Sequence, residues 1–415
     1  MVRGLSVSVP QQVPMRLLII SNMPHHRRDA QIAGWGPTVH EIDYLARRFT
    51  NIRHVGCLHD GPAPANALPY SAANVTFVPL TPKGGKGIWN KLGILVSYPS
   101  YIRTIFRELR SADVVQVRCP GNIGLLAIML LAFARKPRRR WAKYAGNWRP
   151  NRPEAWSYTF QRWWLDCGLH RGFVTVNGRW PGQPNHVHSF LNPCLTEGEL
   201  RAATEVCRIK SLSQPVRLLF VGLLGENKGG GRAVEILGRL RQKGVPAELD
   251  IIGDGPERPA FEARAVSLGV NLVTRFHGWL PRSALGEFYA ASHFVLLPSC
   301  SEGWPKVLSE GMAYGAVPLA SNVGSIPQTL ADCGCGKTFA PLDTEGICQA
   351  IREYTRFPDC WKTESANGVK AAELFTYERY VAAIERLLDT DARSLGSRHN
   401  SRLAPQAGGP DGIQR

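Results

Sequence analysis

From Val216 onward the chain repeats one unit, a short apolar run ending in glycine, proline or serine followed by a stretch of helix length. VRLLFVG leads into GRAVEILGRLRQKG, ELDIIGDG into ERPAFEARAVSLG, VTRFHGW into ALGEFYAAS, and FVLLPS opens the next round. Apolar runs this short, with breakers at their ends, read as strands buried on both faces, and the helices between them must cross over the sheet. The pattern predicts a parallel sheet covered by helices on both sides. The first half follows the same plan more loosely. MRLLIISN reads as a strand, followed by a polar loop and a helix from about Pro37, and further strands are expected at 52–57, 75–78, 114–117 and 173–176. The chain turns polar between Asn192 and Pro215. The expected fold class is α/β, with two doubly wound Rossmann-like domains at 15–195 and 196–372 facing a central cleft. A flexible N-terminus at 1–14, a C-terminal helix at 373–390 that crosses back to the first domain, and a disordered tail at 391–415 complete the expectation. A chain of 415 residues is long enough for this arrangement and for a large core.

Composition narrows the function classes. With 44% hydrophobic and 20% charged residues the chain is neither fibrous nor mainly disordered. Its ten cysteines are scattered, and the close pair Cys333 and Cys335 lacks the two-residue spacer of a zinc or redox motif, so reduced thiols in a cytoplasmic protein are expected. The first residues, MVRGLSVSVPQQVPMRLL, hold no signal-peptide core. The longest apolar run, Gly124 to Ala134, has 11 residues and is too short to span a bilayer. The net charge of +17 lies wholly in one half: residues 1–190 carry 25 Lys+Arg against 8 Asp+Glu, and residues 191–415 carry 25 against 25. A basic half beside a neutral one implies an anionic partner for the first domain: a membrane surface, a phosphorylated acceptor or nucleic acid.

Ligands of open parallel sheets bind beyond the carboxyl ends of the strands, where helix N-termini present free N–H groups. FVLLPS ends near Ser299, so Glu302 of SEGWPKVLSE falls in a loop at such an end, and Glu310 falls in the helix that follows. Ionised carboxylates accept hydrogen bonds, which suits a ligand rich in hydroxyl groups. FVGLLGENKGGG places Lys228 before three glycines and a helix, a suitable phosphate site, although the GxxxxGK[ST] loop is absent. IIGDGP lacks GxGxxG, so no nicotinamide fingerprint is read. Gly34-Trp35-Gly36-Pro37 opens a helix in the first domain, again suited to close approach by a phosphate. His25, His26, His186 and His188 have no further ligands at metal-site spacing, so no metal is expected.

Taken together, FVG(x5)KG, IIGDGP, FHGWLP, the PS(x2)EG turn and Glu302 with Glu310 in an E-x7-E arrangement before MAYGAVPLAS resemble the retaining glycosyltransferases of the GT-B fold, family 4. The resemblance covers Val216 to about Leu388 and implies a nucleotide-diphospho-sugar donor in the C-terminal domain and an acceptor on the N-terminal one. It implies Lys228 on the donor diphosphate, Glu310 on the ribose, and Glu302, taken as the catalytic residue, on the sugar. Gly303, Trp304, Lys306, Val307 and Leu308 would hold the sugar and distal phosphate through their backbone. Gly222 and Gly278 would line the donor pocket, with the base near Phe276 to Trp279, and Gly34 and Gly36 would meet the diphosphate from the opposite domain. Asn147 and His25 are the acceptor-side candidates. No cofactor or metal is implied beyond the donor substrate, and the product is expected to be a glycan or lipid-linked sugar of a cell-surface polysaccharide.

Three positions depart from the family pattern. Leu223 stands where an arginine is usual, Pro305 stands where a glycine is usual, and Ala145-Gly146-Asn147 carries no histidine where one is common. A non-catalytic nucleotide-sugar-binding or scaffold protein of the same fold is the alternative. In the basic half, Lys83, Lys86, Lys91 and Arg103 alternate with Trp89, Tyr98, Tyr101 and Phe106, and six tryptophans lie among the arginines of residues 138–180. Basic residues with interfacial aromatics suit peripheral contact with an anionic inner-membrane face, and no nucleic-acid motif accompanies them.

Overall fold

The structure, a computed structural model, describes residues 13–82, 88–150 and 153–403. The first lobe runs β1 (Val13–Arg28), β2 (Gln31–Trp35), α1 (Gly36–Ala46), β3 (Phe49–His59), β4 (Ala67–Pro69) and β5 (Val75–Leu80). It continues through α2 (Ile88–Ser111), β6 (Val114–Cys119), α3 (Asn122–Phe133), β7 (Arg139–Tyr144), α4 (Trp156–Asp166), β8 (Phe173–Asn177) and β9 (Val187–Phe190). The second lobe begins with α5 (Glu197–Cys207), β10 (Val216–Val221), α6 (Gly230–Gln242), β11 (Ala247–Ile252), α7 (Arg258–Ser267), β12 (Thr274–Gly278) and α8 (Arg282–Ala291). It continues through β13 (Phe294–Leu297), α9 (Lys306–Ala313), β14 (Val317–Ser321), α10 (Ile326–Cys333), β15 (Lys337–Phe339), α11 (Thr344–Arg356) and α12 (Pro358–Ala372), and α13 (Tyr377–Leu403) is the last element among the described residues.

In the first lobe, strands β5, β3, β1, β6, β7, β8 and β9 pair in that order and all in parallel. The second sheet is parallel throughout, in the order β12-β11-β10-β13-β14-β15. Consecutive strands run outward from β10 to β12, and the chain then returns to place β13 on the other side of β10. That reversal is a topological switch point, where the loops after two adjacent strands turn to opposite faces and leave a crevice. The core of this lobe gathers the apolar faces of β10, β11, β13, β14 and helices α6 and α11.

Two expectations need correction. The polar loop after the first strand is instead a strand extension and hairpin: β1 continues to Arg28, turns at Asp29 with φ 53°, and pairs antiparallel with β2, which leads directly into α1. His25 and Ala33 are buried there, so the stretch packs inward although its composition is polar. The tail expected to be disordered from 391 is helical as far as Leu403, because α13 meets no proline before Pro405.

Helix α13 packs back on the first lobe. Tyr380, Val381, Ile384 and Leu388 share a core with Leu17, Ile19, Ile42 and Trp141. Beside them Glu41 accepts from Arg118 Nη1 at 2.9 Å, Lys143 Nζ at 2.8 Å and the Tyr380 hydroxyl at 2.9 Å. Burial alone would raise the Glu41 pKa; the Arg118 and Lys143 charges outweigh it and hold the carboxyl well below its usual range. Arg140, also buried, donates to carbonyls of α3 and its following loop. Part of the basic excess of the first half is therefore structural.

Two strands of backbone join the lobes and lie side by side. Cys194 N–H donates to Phe375 O at 2.9 Å, and Tyr377 N–H donates to Leu195 O at 2.9 Å. Among the described residues no helix is long and apolar enough to cross a membrane.

Candidate functional site

The loops after β10 and β13 meet at the switch point. Gly229 takes a left-handed conformation, φ 87°, and a Cβ there would stand 2.2 Å from the Pro298 carbonyl oxygen, so only glycine permits this approach. Cys300 N–H donates to Asn227 O at 2.8 Å, and Arg232 Nε donates to Pro298 O at 2.7 Å, stitching the two loops together. The result brings Lys228 and Glu302, 74 residues apart, into an ion pair with Nζ 2.7 Å from Oε1. The Ser299 hydroxyl donates to the same oxygen at 2.9 Å. Lys228 is partly exposed, and the Glu302 side chain is 10% exposed. A cation and a hydroxyl-accepting carboxylate thus stand at the mouth of the crevice.

Pro305 precedes the first residue of α9, where its missing N–H costs nothing, and the first-turn amides of α9 point out of the helix end. Gly303 faces the first lobe: a Cβ on it would stand 2.5 Å from the Ala145 carbonyl oxygen and 3.0 Å from Asn177 Nδ2. The lobes touch at this point, so the β7–α4 loop with Asn147 lies across the cleft from the β13–α9 turn. Asn147 is buried, and its Oδ1 accepts from Arg149 N–H at 3.1 Å. Lys306 reaches across to the first lobe, with Nζ 3.2 Å from Pro37 O at the start of α1. Trp304 turns away from the cleft: it is buried, stacks on Phe375 at 5.2 Å and donates to Ser309 Oγ at 2.8 Å. Leu308 is also core, and Val307 packs against that core.

Glu310 is buried in α9, and both oxygens are engaged. Oε1 accepts from Arg282 Nη1 at 2.8 Å, and Oε2 accepts from the Tyr289 hydroxyl at 2.8 Å. Burial beside Glu310 pushes the Tyr289 hydroxyl well above its ordinary range, which fixes it as the donor. Arg282 also donates to the Glu199 carboxylate at 3.2 Å and to Cys194 O in the inter-lobe connection. Each carboxylate oxygen keeps a second lone pair, so Glu310 can accept two further hydroxyl donors in a fixed orientation. Removing one donor from a buried carboxylate costs about 2 kcal/mol. Tyr289→Phe is accordingly expected to lower the free energy of unfolding by that order in urea titration, and an unchanged midpoint would contradict the bond.

The remaining expected residues are dispersed around this centre. Gly222 follows β10, its N–H donating to Ile252 O at 2.9 Å; a Cβ there would meet the Phe220 ring at 3.8 Å, an ordinary contact. Leu223 beside it is half-exposed. Gly278 closes β12 with φ 68°, followed by exposed Trp279, whereas His277 is tied to Asp250 at 2.7 Å. In the first lobe, Gly34 lies within β2, where Met23 and His25 fill the space beside it, and the Gly36 N–H is taken by Asn66 O at 3.0 Å. His25 is fully buried: its Nε2 bonds the Tyr70 hydroxyl at 2.8 Å, and that hydroxyl also bonds His54 Nδ1 at 2.6 Å. It is a core residue and lines no open cleft.

Sequence reasoning missed Arg282, Tyr289 and Ser299. Ser299 was legible as the last residue of FVLLPS, but the pairing of Arg282 with Glu310 arises only when two helices pack. Among the described residues, no three His, Cys, Asp or Glu side chains converge as metal ligands.

Comparison with known proteins gives this geometry a setting. Residues 208–365 match the family described as Glycosyl transferases group 1. The chain is 31% identical over 144 residues to glycogen synthase of Mycobacterium tuberculosis, covering 35% of either protein. It is 28% identical over 174 residues to the GDP-mannose-dependent alpha-(1-6)-phosphatidylinositol dimannoside mannosyltransferase of the same species, covering 41% of this chain and 43% of that one. The matches thus span less than half of these relatives. Among solved structures, Anabaena Alr3699/HepE in complex with UDP superposes with a TM-score of 0.65 at 14% identity, over 91% of this chain and all of that one.

Proposed function

We propose, for a chain of GT-B fold whose residues 208–365 match the family described as Glycosyl transferases group 1, that the protein transfers a sugar from a nucleotide-diphospho-sugar to a glycan or lipid-linked acceptor in cell-surface polysaccharide assembly. The observation that carries this reading is the Lys228–Glu302 pair at the switch point, beside the N-terminus of α9 and across from the β7–α4 loop. On donor binding the pair separates its duties, Lys228 to the diphosphate and Glu302 to sugar hydroxyls. Glu310, oriented by Arg282 and Tyr289, accepts from the ribose diol, and exposed Trp279 lies beside the base.

The bond from the anomeric carbon to the diphosphate oxygen breaks on the face where the acceptor oxygen bonds, and the acceptor proton passes to the departing diphosphate. Configuration is retained. Negative charge grows on the leaving group, where Lys228 and the first-turn amides of α9 stabilise it without a metal ion. The chain works in the cytoplasm, in peripheral contact with an anionic membrane through its basic N-terminal half.

The test is nucleoside diphosphate release with a panel of donors, followed by NMR of the product's anomeric proton. Release that survives EDTA, with a retained anomer, is expected; an inverted product overturns the stereochemistry, and loss of release with EDTA overturns the metal-free chemistry. A second reading, a nucleotide-sugar-binding scaffold, draws on half-exposed Leu223 at the place of an expected arginine. Saturable donor binding with no release on any acceptor would favour it.

A further inference from the structure

The tryptophans of the basic lobe divide sharply. Trp141 and Trp148 are core, and Trp164 and Trp180 pack partly buried against it, whereas Trp156 is 76% and Trp163 53% exposed. Both exposed rings lie on α4, seven residues apart, and Phe160 bridges them with centroids at 6.5 Å and 5.5 Å. Two turns of helix thus carry a continuous aromatic strip toward solvent.

Helix α3 extends the patch. Met129 and Phe133, one turn apart, are exposed, Phe133 at 79%. Three hydrogen bonds from two side chains fix α3 against α4. Trp164 Nε1 donates to Ile128 O at 3.2 Å, and the buried Arg140 guanidinium donates to Ala134 O at 2.6 Å and to His170 O at 3.3 Å. The ends of the two helices are pinned together by a guanidinium that donates to backbone carbonyls at both. Around this end stand Arg135, Lys136, Arg138 and Arg171, all exposed, and none of the four forms an ion pair among the described residues. The cleft-side end of the strip, at Trp156, follows the loop that carries Asn147 opposite Gly303.

We propose that the outer face of α3 and α4 docks on an anionic lipid surface, with Trp156, Trp163 and Phe133 in the headgroup boundary and Arg135, Lys136, Arg138 and Arg171 on the lipid phosphates. The assignment deepens the membrane part of the reading above and stands apart from donor chemistry. An apolar centre alone would suit another protein. Exposed aromatics with unpaired cations gathered at one end, and with the nearby acids Glu154 and Asp166 already paired to Arg162 and Arg149, suit the boundary of a negatively charged bilayer instead. Docking there turns the acceptor side of the cleft toward the membrane. Lys83 and Lys86, and the side chains of Trp89 and Lys91, lie outside the described residues; Tyr98, Tyr101 and Phe106 pack into the core and are not part of the surface.

The experiment is co-sedimentation of the full chain with vesicles of phosphatidylcholine alone and of phosphatidylcholine mixed with phosphatidylglycerol. Wild type is expected to bind the anionic vesicles with a blue-shifted tryptophan emission and to release them at high salt. The triple variants W156S/W163S/F133S and R135E/K136E/R138E should each lose about tenfold or more in partitioning, with unchanged melting and unchanged nucleotide-sugar binding. Absence of wild-type binding, or equal binding by either variant, overturns the proposal. So would a concentration-dependent oligomer that W156S/W163S/F133S disperses while vesicle binding stays absent, which assigns the face to a protein contact. Nucleotide-sugar binding, measured separately, tells a failure here from a failure of the glycosyltransferase reading.

Discussion

Lys228→Met is expected to lower kcat by about 10²- to 10³-fold, the cost of removing one group aimed at developing negative charge. The effect is large here because the neighbouring loop position is Leu223, which offers the diphosphate no charge. The ammonium is held at 2.7 Å by Glu302, itself fixed by the Ser299 hydroxyl, so it stands ready without a search through lysine rotamers. Glu302→Gln keeps the shape and removes the anion, and it should raise the donor KM as well as lower kcat. Placing an arginine at the exposed neighbour, Leu223→Arg, should restore part of the activity of Lys228→Met. Steady-state kinetics on the three variants checks this, and full activity of Lys228→Met would remove the diphosphate role.

Acid should unfold the protein well above the carboxylate range. Burial lowers His25, His170 and His293 from 6.5 to about 4, and pushes His54 well below its usual value. A lowered folded-state value means that, between pH 6.5 and 4, the unfolded chain binds more protons than the folded one. The stability these histidines permit is therefore fully present above pH 6.5 and is lost as pH falls toward 4. A group displaced this far contributes about 3 kcal/mol to that loss, and several acting together rival a domain's whole stability. Urea denaturation from pH 7.5 to 4.5 should show a steep decline over that window, about pH 6.5 to 4.5. His293→Asn keeps an acceptor for the Arg217 N–H, bonded at 3.0 Å in the structure, but cannot titrate, and it should flatten part of the slope. A level profile down to pH 4.5 would contradict the buried neutral histidines.

Local signals carried most of the architecture. FVLLPS became β13, a strand buried along its whole length and apolar throughout, and VRLLFVG and ELDIIGDG became β10 and β11 because their apolar runs are short and end at glycine, with Arg217, Glu248 and Asp250 as their only charged positions. The hairpin of β1 and β2 was hidden because its burial comes from neighbours: His25 is sheltered by Tyr70 and Phe77, residues that composition cannot bring near. Glu302 and Glu310 stood out by spacing, yet their surroundings did not. Arg282 lies 28 residues before Glu310, and only the packing of α8 beside α9 shows that the carboxylate is clamped. Charge was legible as an excess in one half but not in its use, since Arg118, Arg140 and Lys143 serve the interior while Arg135, Lys136 and Arg138 face solvent.

The central claim is that the switch-point crevice of the C-terminal lobe holds a nucleotide-diphospho-sugar through Lys228 and Glu310. Isothermal titration of the purified chain with UDP-, GDP- and ADP-sugars tests it most directly. One nucleotide class is expected to saturate wild type and to weaken by about tenfold or more in Lys228→Met. A folded wild-type chain that binds none of them, or a variant that binds as tightly as wild type, would contradict it.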